Sequence, residues 1–91
     1  MRIHGIRWEA WNIDHIAGHG VIPEEVEDVD YSQRFTVRRV GQMRYLLTGQ
    51  TVSGRYLSIV MDREQPSQYV VVTARDATSR ERRDYRQQVI R

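Results

Sequence analysis

The sequence predicts a single α+β domain over residues 1–91, in which N-terminal helices and a C-terminal helix accompany a four-stranded antiparallel β-meander. Apolar residues recur with helical spacing near both ends of the chain and alternate with polar ones between residues 34 and 75. Short turn signals separate the alternating runs. With 40% hydrophobic and 29% charged residues, the chain has the balance of a folded soluble domain.

The first helix is predicted from apolar spacing and from a stop signal. Trp8, Trp11 and His15 follow an i, i+3, i+7 pattern, which predicts a helix over 8–19. Gly20 is expected to end it, because glycine adopts the left-handed conformation past a helix end without a Cβ penalty.

Two more helices are predicted from their start signals. Pro23 suits a first helical position and acidic residues follow it, which predicts a second helix from Pro23 to about Asp30. Near the C-terminus, Thr78-Ser79-Arg80-Glu81 forms a capping box, in which the threonine hydroxyl and the glutamate each satisfy a backbone N–H. A third helix is expected from Ser79 to about Ile90.

The central segment predicts the four strands, which are Arg34–Val40, Arg44–Gly49, Tyr56–Met61 and Tyr69–Arg75. Their connections are short enough for hairpins. Each of the last two strands has one apolar face, made by Leu57, Ile59 and Met61 and by Val70, Val72 and Ala74. We expect the three helices to cover these faces, and Arg75 to lie on the opposite face with Tyr69, Val71 and Thr73.

Composition excludes several classes of chemistry. The absence of cysteine rules out disulfides, thiolate metal sites and a cysteine nucleophile. The N-terminal residues lack an apolar signal region, and no stretch approaches the ~20 apolar residues of a membrane span. We therefore expect a cytoplasmic protein with no membrane association.

All fourteen basic residues other than histidine are arginines, and they are unevenly placed. Residues 24–30 contain five acids and no base, 31–61 contain five arginines and no acid, and 75–91 contain six arginines against three acids. This asymmetry points to an anionic partner. The alternative is a solvated helix surface with local ion pairs.

Few motifs for metal or cofactor chemistry are present. The sequence has no phosphate-binding glycine loop, dinucleotide fingerprint or nucleophile elbow, and we expect no cofactor. His15 and His19 are spaced to share a helix face, where His4 or Asp14 would have to complete a metal site. Without a clustered third ligand we expect no metal, and His19 is more simply a helix-capping residue.

Arg75 is the most informative single residue, because it lies three residues before Thr78, where the capping box of the last helix begins. Helix N-terminal amides beside an arginine fork make a phosphate cradle, to which Arg44, Arg82 or Arg83 are expected to add contacts. The competing interpretation is a salt bridge from Arg75 to Glu81 or Asp28.

The residues also resemble a known family. Residues 8–26, WEAWNIDHIAGHGVIPEEV, resemble the opening of BrnT-type toxins of bacterial toxin–antitoxin pairs, and residues 71–85, VVTARDATSRERRDY, resemble that family's closing strand–arginine–helix motif. Between them, RYLLTG at 44–49 and GRYL at 54–57 look like the two middle strands. The resemblance covers nearly the whole chain, with both end motifs in the expected order.

The resemblance implies a RelE-like ribonuclease fold, cleavage of RNA, and neutralisation in a hetero-oligomer with a DNA-binding antitoxin of the BrnA kind. Carried over by position, it places catalytic residues at Arg75, His19, Glu81, Arg82 and Tyr85. Arg44 and Arg55 match the family less distinctively, and together with Arg83 they are the residues expected to contact RNA. One departure is Gly18, which stands where a basic residue is common and puts a phosphate contact in doubt.

Metal-independent RNA cleavage by the 2′-hydroxyl requires a base, an acid and positive charge on the phosphorane oxygens. Because arginine does not deprotonate near neutral pH, we expect Arg75 with Arg82 or Arg83 to stabilise charge, and His19 to transfer protons. Glu81 or Tyr85 is expected to assist; the simpler roles are a capping carboxylate and a core contact.

Two non-catalytic functions remain open. Tyr45, Tyr56 and Tyr69 on successive strands would let an arginine-rich sheet stack single-stranded bases without cutting RNA, although cross-strand packing also explains them. Alternatively, the basic surface docks an acidic antitoxin segment and the nuclease activity has decayed.

Overall fold

The computed structural model describes Ile3 and residues 5–89. In chain order the elements are β1 (Gly5–Arg7), α1 (Ala10–Ala17), α2 (Pro23–Ser32), β2 (Phe35–Arg39), β3 (Arg44–Gln50), β4 (Tyr56–Gln65), β5 (Gln68–Asp76) and α3 (Ser79–Val89). The predicted alternation of two helices, a strand meander and a last helix is therefore confirmed.

The sheet has five strands in the order β1-β5-β4-β3-β2. Strands β2 to β5 form the expected antiparallel meander. The prediction of four strands is wrong, because β1 adds to the edge of β5 in parallel, with Gly5 opposite Gln68 and Arg7 opposite Val70. Three residues are too few to show a period of two, so this strand forms by pairing with an existing edge rather than by local preference.

The first helix is shorter than predicted, and its cap explains the difference. The Asn12 side chain accepts the Glu9 N–H at 2.8 Å, which fixes the helix start near Ala10. At the other end Gly20 has φ of 73° and donates to the Ala17 carbonyl, while the Val21 N–H reaches the Ile16 carbonyl at 3.1 Å. These bonds form a Schellman ending, so Gly20 acts as predicted and His19 lies in the turn.

One face of the sheet carries the hydrophobic core under α1 and α2. The side chains fully enclosed there include Leu47, Leu57, Ile59, Met61, Val71 and Ala74 from the sheet and Ile16, Val21, Val26 and Val29 from the helical segment. The approach of α2 is close, because a Cβ built on Gly49 would lie 2.6 Å from Val29 Cγ1.

A β-bulge in β5 changes which residues face the core. Val60 pairs with Thr73 and Met61 with Val71, which leaves Val72 as the extra residue. The predicted apolar face of Val70, Val72 and Ala74 is therefore wrong: Tyr69 and Val71 join Ala74 in the core. Thr73 and Arg75 lie on the opposite face.

That opposite face is partly covered by α3, so the three helices do not share one side of the sheet as expected. The Glu81 side chain contacts Ser58 of β4, and Tyr85, only 3% exposed, packs its ring 5.9 Å from that of Tyr56. The start at Ser79 is confirmed, with Thr78 and Glu81 exchanging hydrogen bonds of 3.1 and 2.8 Å. The expected end at Ile90 lies outside the described residues.

Candidate functional site

The Glu81 carboxylate is the centre of a polar cluster between α3 and the sheet. Its Oε1 accepts the Ser58 hydroxyl at 2.8 Å and the Thr78 N–H at 2.8 Å. Ser58 is 1% exposed and its hydroxyl also meets that of Thr48 at 2.9 Å. Because the Ser58 hydrogen is used on Glu81, Thr48 acts as the donor of that bond.

Arg75 completes the cluster through a bidentate ion pair. Its Nη1 and Nη2 donate to the two Glu81 oxygens at 2.8 and 3.1 Å, and Nη1 also donates to the Asp76 carbonyl at 3.1 Å. A guanidinium has five N–H groups, so Nε–H and one Nη2–H have no partner in the part of the chain described. The side chain is 39% exposed, and these two donors are available to an anion.

The contacts around Glu81 set its chemical character. Hydrogen bonding from Arg75, reinforced by Thr78 and Ser58 and opposed by burial, lowers the pKa of Glu81 to about 2. A carboxylate this acidic is a weak base at neutral pH. The geometry therefore favours Glu81 as the residue that holds Arg75 in place, while the ion pair raises the pKa of Arg75 and keeps it charged.

Both other α3 residues of the expected catalytic set have structural contacts. The Tyr85 ring is enclosed against Tyr56, and burial raises the pKa of its hydroxyl. Arg82 is half-buried and its Nη2 lies 3.4 Å from Ser79 Oγ on the preceding helical turn. The Arg82 side chain thus lies at the first turn of α3, whereas the Tyr85 ring packs between α3 and the sheet.

A groove between α3 and strands β2 and β3 adjoins the cluster. It encloses about 430 Å³, and Thr48 and Glu81 form part of its wall. Arg38 of β2 and Arg80 of α3 line it from opposite sides, and both are exposed. Neither has an ion-pair partner among the described residues. Sequence reasoning missed both, because only the placement of α3 over β2 brings them together.

The arginines expected to contact RNA differ in their surroundings. Arg44 forms a bidentate pair with Asp62, with N–O distances of 2.7 and 2.9 Å. Arg55 binds Asp76, Glu25 and the Gly20 carbonyl, and so ties the start of β4 to the end of β5 and to α2. Arg83 is exposed on α3 and has no ion-pair partner within the described ranges.

His15 and His19 lie near the free edge of β5. This edge is open past Val70, where pairing with β1 ends. Asn12 of α1 donates to the Val71 carbonyl at 3.1 Å, and His15 Nε2 lies 3.1 Å from Thr73 Oγ1. The rings of His15 and His19 meet edge to face with centroids 5.5 Å apart. His15 therefore reaches the strand that carries Arg75.

The three tyrosines considered for base stacking do not share an exposed face. Tyr69 is 5% exposed and packs against Tyr45 on the core side, with ring centroids 6.1 Å apart. Tyr56 lies on the other side, between Tyr85 and the Arg86 guanidinium, whose carbon is 5.2 Å from the ring centre. Cross-strand and helix packing account for all three.

No group of three histidine or acidic side chains able to hold a metal ion occurs within residues 3 and 5–89, and His4 lies outside that part. None of the described helices is both long and apolar enough to cross a membrane.

The fold is similar to one with a known activity. The crystal structure of the ribonuclease toxin BrnT from Brucella abortus superposes with a TM-score of 0.67 and 17% sequence identity, over 82% of this chain and 97% of that one. No protein-family model and no curated protein sequence matches the chain. The expected similarity to the BrnT fold is confirmed.

Proposed function

We propose that the chain is the toxin of a bacterial toxin–antitoxin pair and acts as a metal-independent endoribonuclease. The observation that carries the proposal is Arg75, which lies on the sheet face beside the start of α3 and keeps two N–H donors without a partner among the described residues. The similarity in fold to a ribonuclease toxin supports the same activity.

Arg75 is assigned to charge stabilisation. As RNA is cleaved, negative charge grows on the oxygens of the scissile phosphate, and a fixed cation lowers the energy of that state. The Glu81 carboxylate, held by Ser58 and Thr78, keeps the guanidinium in one orientation before substrate arrives. Arg82, in the first turn of α3, adds positive charge. Tyr85 packs α3 against the sheet.

Proton transfer is assigned to a histidine rather than to Glu81. The carboxylate, with a pKa of about 2, is already ionised and tightly bound, whereas imidazole changes protonation near neutral pH. His19 lies in the turn after α1, against His15. With arginine for charge and imidazole for protons, the reaction needs no metal ion.

RNA binding is assigned to the exposed arginines. Arg38 and Arg80 in the groove, with Arg83 on the outer side of α3, offer donors that no carboxylate occupies among the described residues. Arg44 and Arg55 would have to exchange existing ion pairs for phosphate contacts. We therefore expect the groove to contribute more affinity than Arg44 or Arg55.

The partner that fits this surface is an acidic segment of a BrnA-like antitoxin in a cytoplasmic hetero-oligomer. An antitoxin covering the groove and Arg75 would block RNA, because both ligands require the same cations.

The test is cleavage of labelled single-stranded RNA by purified protein in EDTA. The wild type is expected to give fragments, and Arg75→Ala to give none while its circular dichroism stays unchanged. Arg39→Ala is the matched control, since the Arg39 guanidinium binds only carbonyls of its own hairpin in the described structure. Full activity in a folded Arg75→Ala protein would refute the assignment.

A second function, RNA binding without cleavage, is favoured by one observation. Among the described residues, no side chain that contacts Arg75 titrates near neutrality, and Arg75 is already paired. A retarded RNA band with no fragments would establish this second function.

A further inference from the structure

Two imidazoles meet at the free edge of β5, and the contact between His15 and Thr73 ties them to the face that carries Arg75. The ring centroids of His15 and His19 are 5.5 Å apart, and His15 Nε2 is 3.1 Å from Thr73 Oγ1. Thr73 and Arg75 are alternate residues on one face of β5, so their Cα atoms are separated by only ~7 Å.

We propose that His15 is a further catalytic residue, acting as the general base while His19 acts as the general acid. This inference rests on the proposed ribonuclease function and names the pair of groups that moves the protons. Each imidazole must reach its own oxygen of one phosphate, and ring centroids 5.5 Å apart are close enough for both to contact a single phosphate group. Arg75 follows Thr73 by two residues on the same face of β5 and is the cation assigned to the remaining phosphate oxygens.

Thr73 gives the two ring nitrogens of His15 different roles. When the threonine hydroxyl accepts from Nε2–H, the neutral ring keeps its lone pair on Nδ1. That nitrogen has no hydrogen-bond partner among the described residues. A histidine held through one nitrogen and free at the other is the arrangement that a general base requires. Thr73 is accordingly a positioning residue.

The step balances in atoms and charge. The neutral His15 ring takes the proton of the ribose 2′-hydroxyl as its oxygen forms a bond to phosphorus. The bond from phosphorus to the 5′ oxygen breaks, and protonated His19 supplies the proton to that oxygen. The products are a 2′,3′-cyclic phosphate and a 5′-hydroxyl, and solvent restores both rings.

The charged groups around the pair are cationic as well as anionic. Arg75 is on the adjoining strand, Arg55 donates to the Gly20 carbonyl at 2.7 Å next to His19, and Asp14 precedes His15 on α1. The positive charge of Arg55 and Arg75 attracts a phosphate toward this part of β5.

The experiment measures cleavage of labelled RNA by the full chain in EDTA from pH 5 to pH 9. His15→Gln keeps an amide nitrogen near the Nε2 position but cannot take up a proton. We expect it to lose at least about 100-fold in rate at neutral pH and to lose the acidic limb of the pH profile, with RNA affinity within about twofold of wild type. His19→Gln should lose the alkaline limb, and Glu24→Gln on α2 should match the wild type.

The outcomes separate the two hypotheses. A wild type that cuts RNA, with a folded His15→Gln variant that cuts within threefold of it and keeps the same pH profile, would overturn the role of His15 alone. A wild type that never cuts RNA would overturn the ribonuclease function and this inference together. Should His15→Gln fail to fold, His15→Asn and Thr73→Val provide the same test, with Thr73→Val expected to lower kcat while leaving RNA binding intact.

Discussion

Replacing Glu81 by glutamine tests whether the ionised carboxylate stabilises the fold by holding Arg75. The change keeps an acceptor for Thr78 and Ser58 but removes the charge that Arg75 requires. A pKa lowered from 4.5 to about 2 corresponds to ~3 kcal/mol at full effect. Because the Arg75 side chain is 39% exposed, solvent screening reduces the expected loss to ~1–2 kcal/mol at pH 7.

The sign of the pH dependence follows from the lowered pKa. The unfolded chain takes up a proton on Glu81 below pH 4.5, whereas the folded chain resists protonation until about pH 2. The contribution is therefore complete above pH 4.5 and decreases as pH falls. More than half of it should be gone by pH 3, so the stability difference between wild type and Glu81→Gln should narrow.

Urea unfolding at pH 7 and pH 3 measures this difference, since urea leaves the ionic strength unchanged. Asp84→Asn is the control, because it removes one carboxylate from an exposed position of the same helix. It should track the wild type at both pH values. If the free energies of unfolding of wild type and Glu81→Gln differ as much at pH 3 as at pH 7, the role of the ionised carboxylate is refuted.

Three further changes test other parts of the structure. Gly49→Ala should cost ~1–3 kcal/mol in urea unfolding, because its Cβ would lie 2.6 Å from Val29 Cγ1; an unchanged unfolding midpoint would contradict the close packing of α2. Asp30→Asn should raise Tm at pH 7, since burial raises the pKa of Asp30 and its Oδ1 finds no hydrogen-bond partner in the described structure. Wild-type stability falls as pH rises above 3.8, so the gain should disappear at pH 3. Arg80→Ala should weaken RNA binding and reduce the salt slope by about one; an unchanged slope would place the RNA elsewhere.

Local signals in the sequence were sufficient for the helix boundaries that depend on capping. The exchange of hydrogen bonds between Thr78 and Glu81 and the left-handed Gly20 were both predicted, because each depends on residues within one or two turns. The parallel strand β1 was missed because it depends on a distant partner and not on local residues. Its partner, Gln68–Val70, lies some sixty residues away, and three residues carry no periodic signal of their own.

The candidate site shows the same division. The sequence indicated the Arg75–Glu81 ion pair as one of two interpretations. The structure contains that pair, and within residues 3 and 5–89 Arg75 keeps two N–H donors without a partner. The groove arginines Arg38 and Arg80 are more than forty residues apart in the chain. Only the packing of α3 over β2 brings them to one groove, so no local pattern pointed to either.

The bulge at Val72 explains both the wrong prediction of the apolar face of β5 and the position of Arg75 in the candidate site. Strict alternation would put Arg75 on the same face as Tyr69 and Val71, which is the core side under α1 and α2. The extra residue reverses the alternation between Val71 and Thr73, so that the core keeps its aromatic and aliphatic side chains while Arg75 emerges opposite Ser58, beside Glu81. The same reversal places the Thr73 hydroxyl within hydrogen-bond distance of His15. A bulge that departs from ideal pairing is thus what allows one strand to supply both the core and the candidate site.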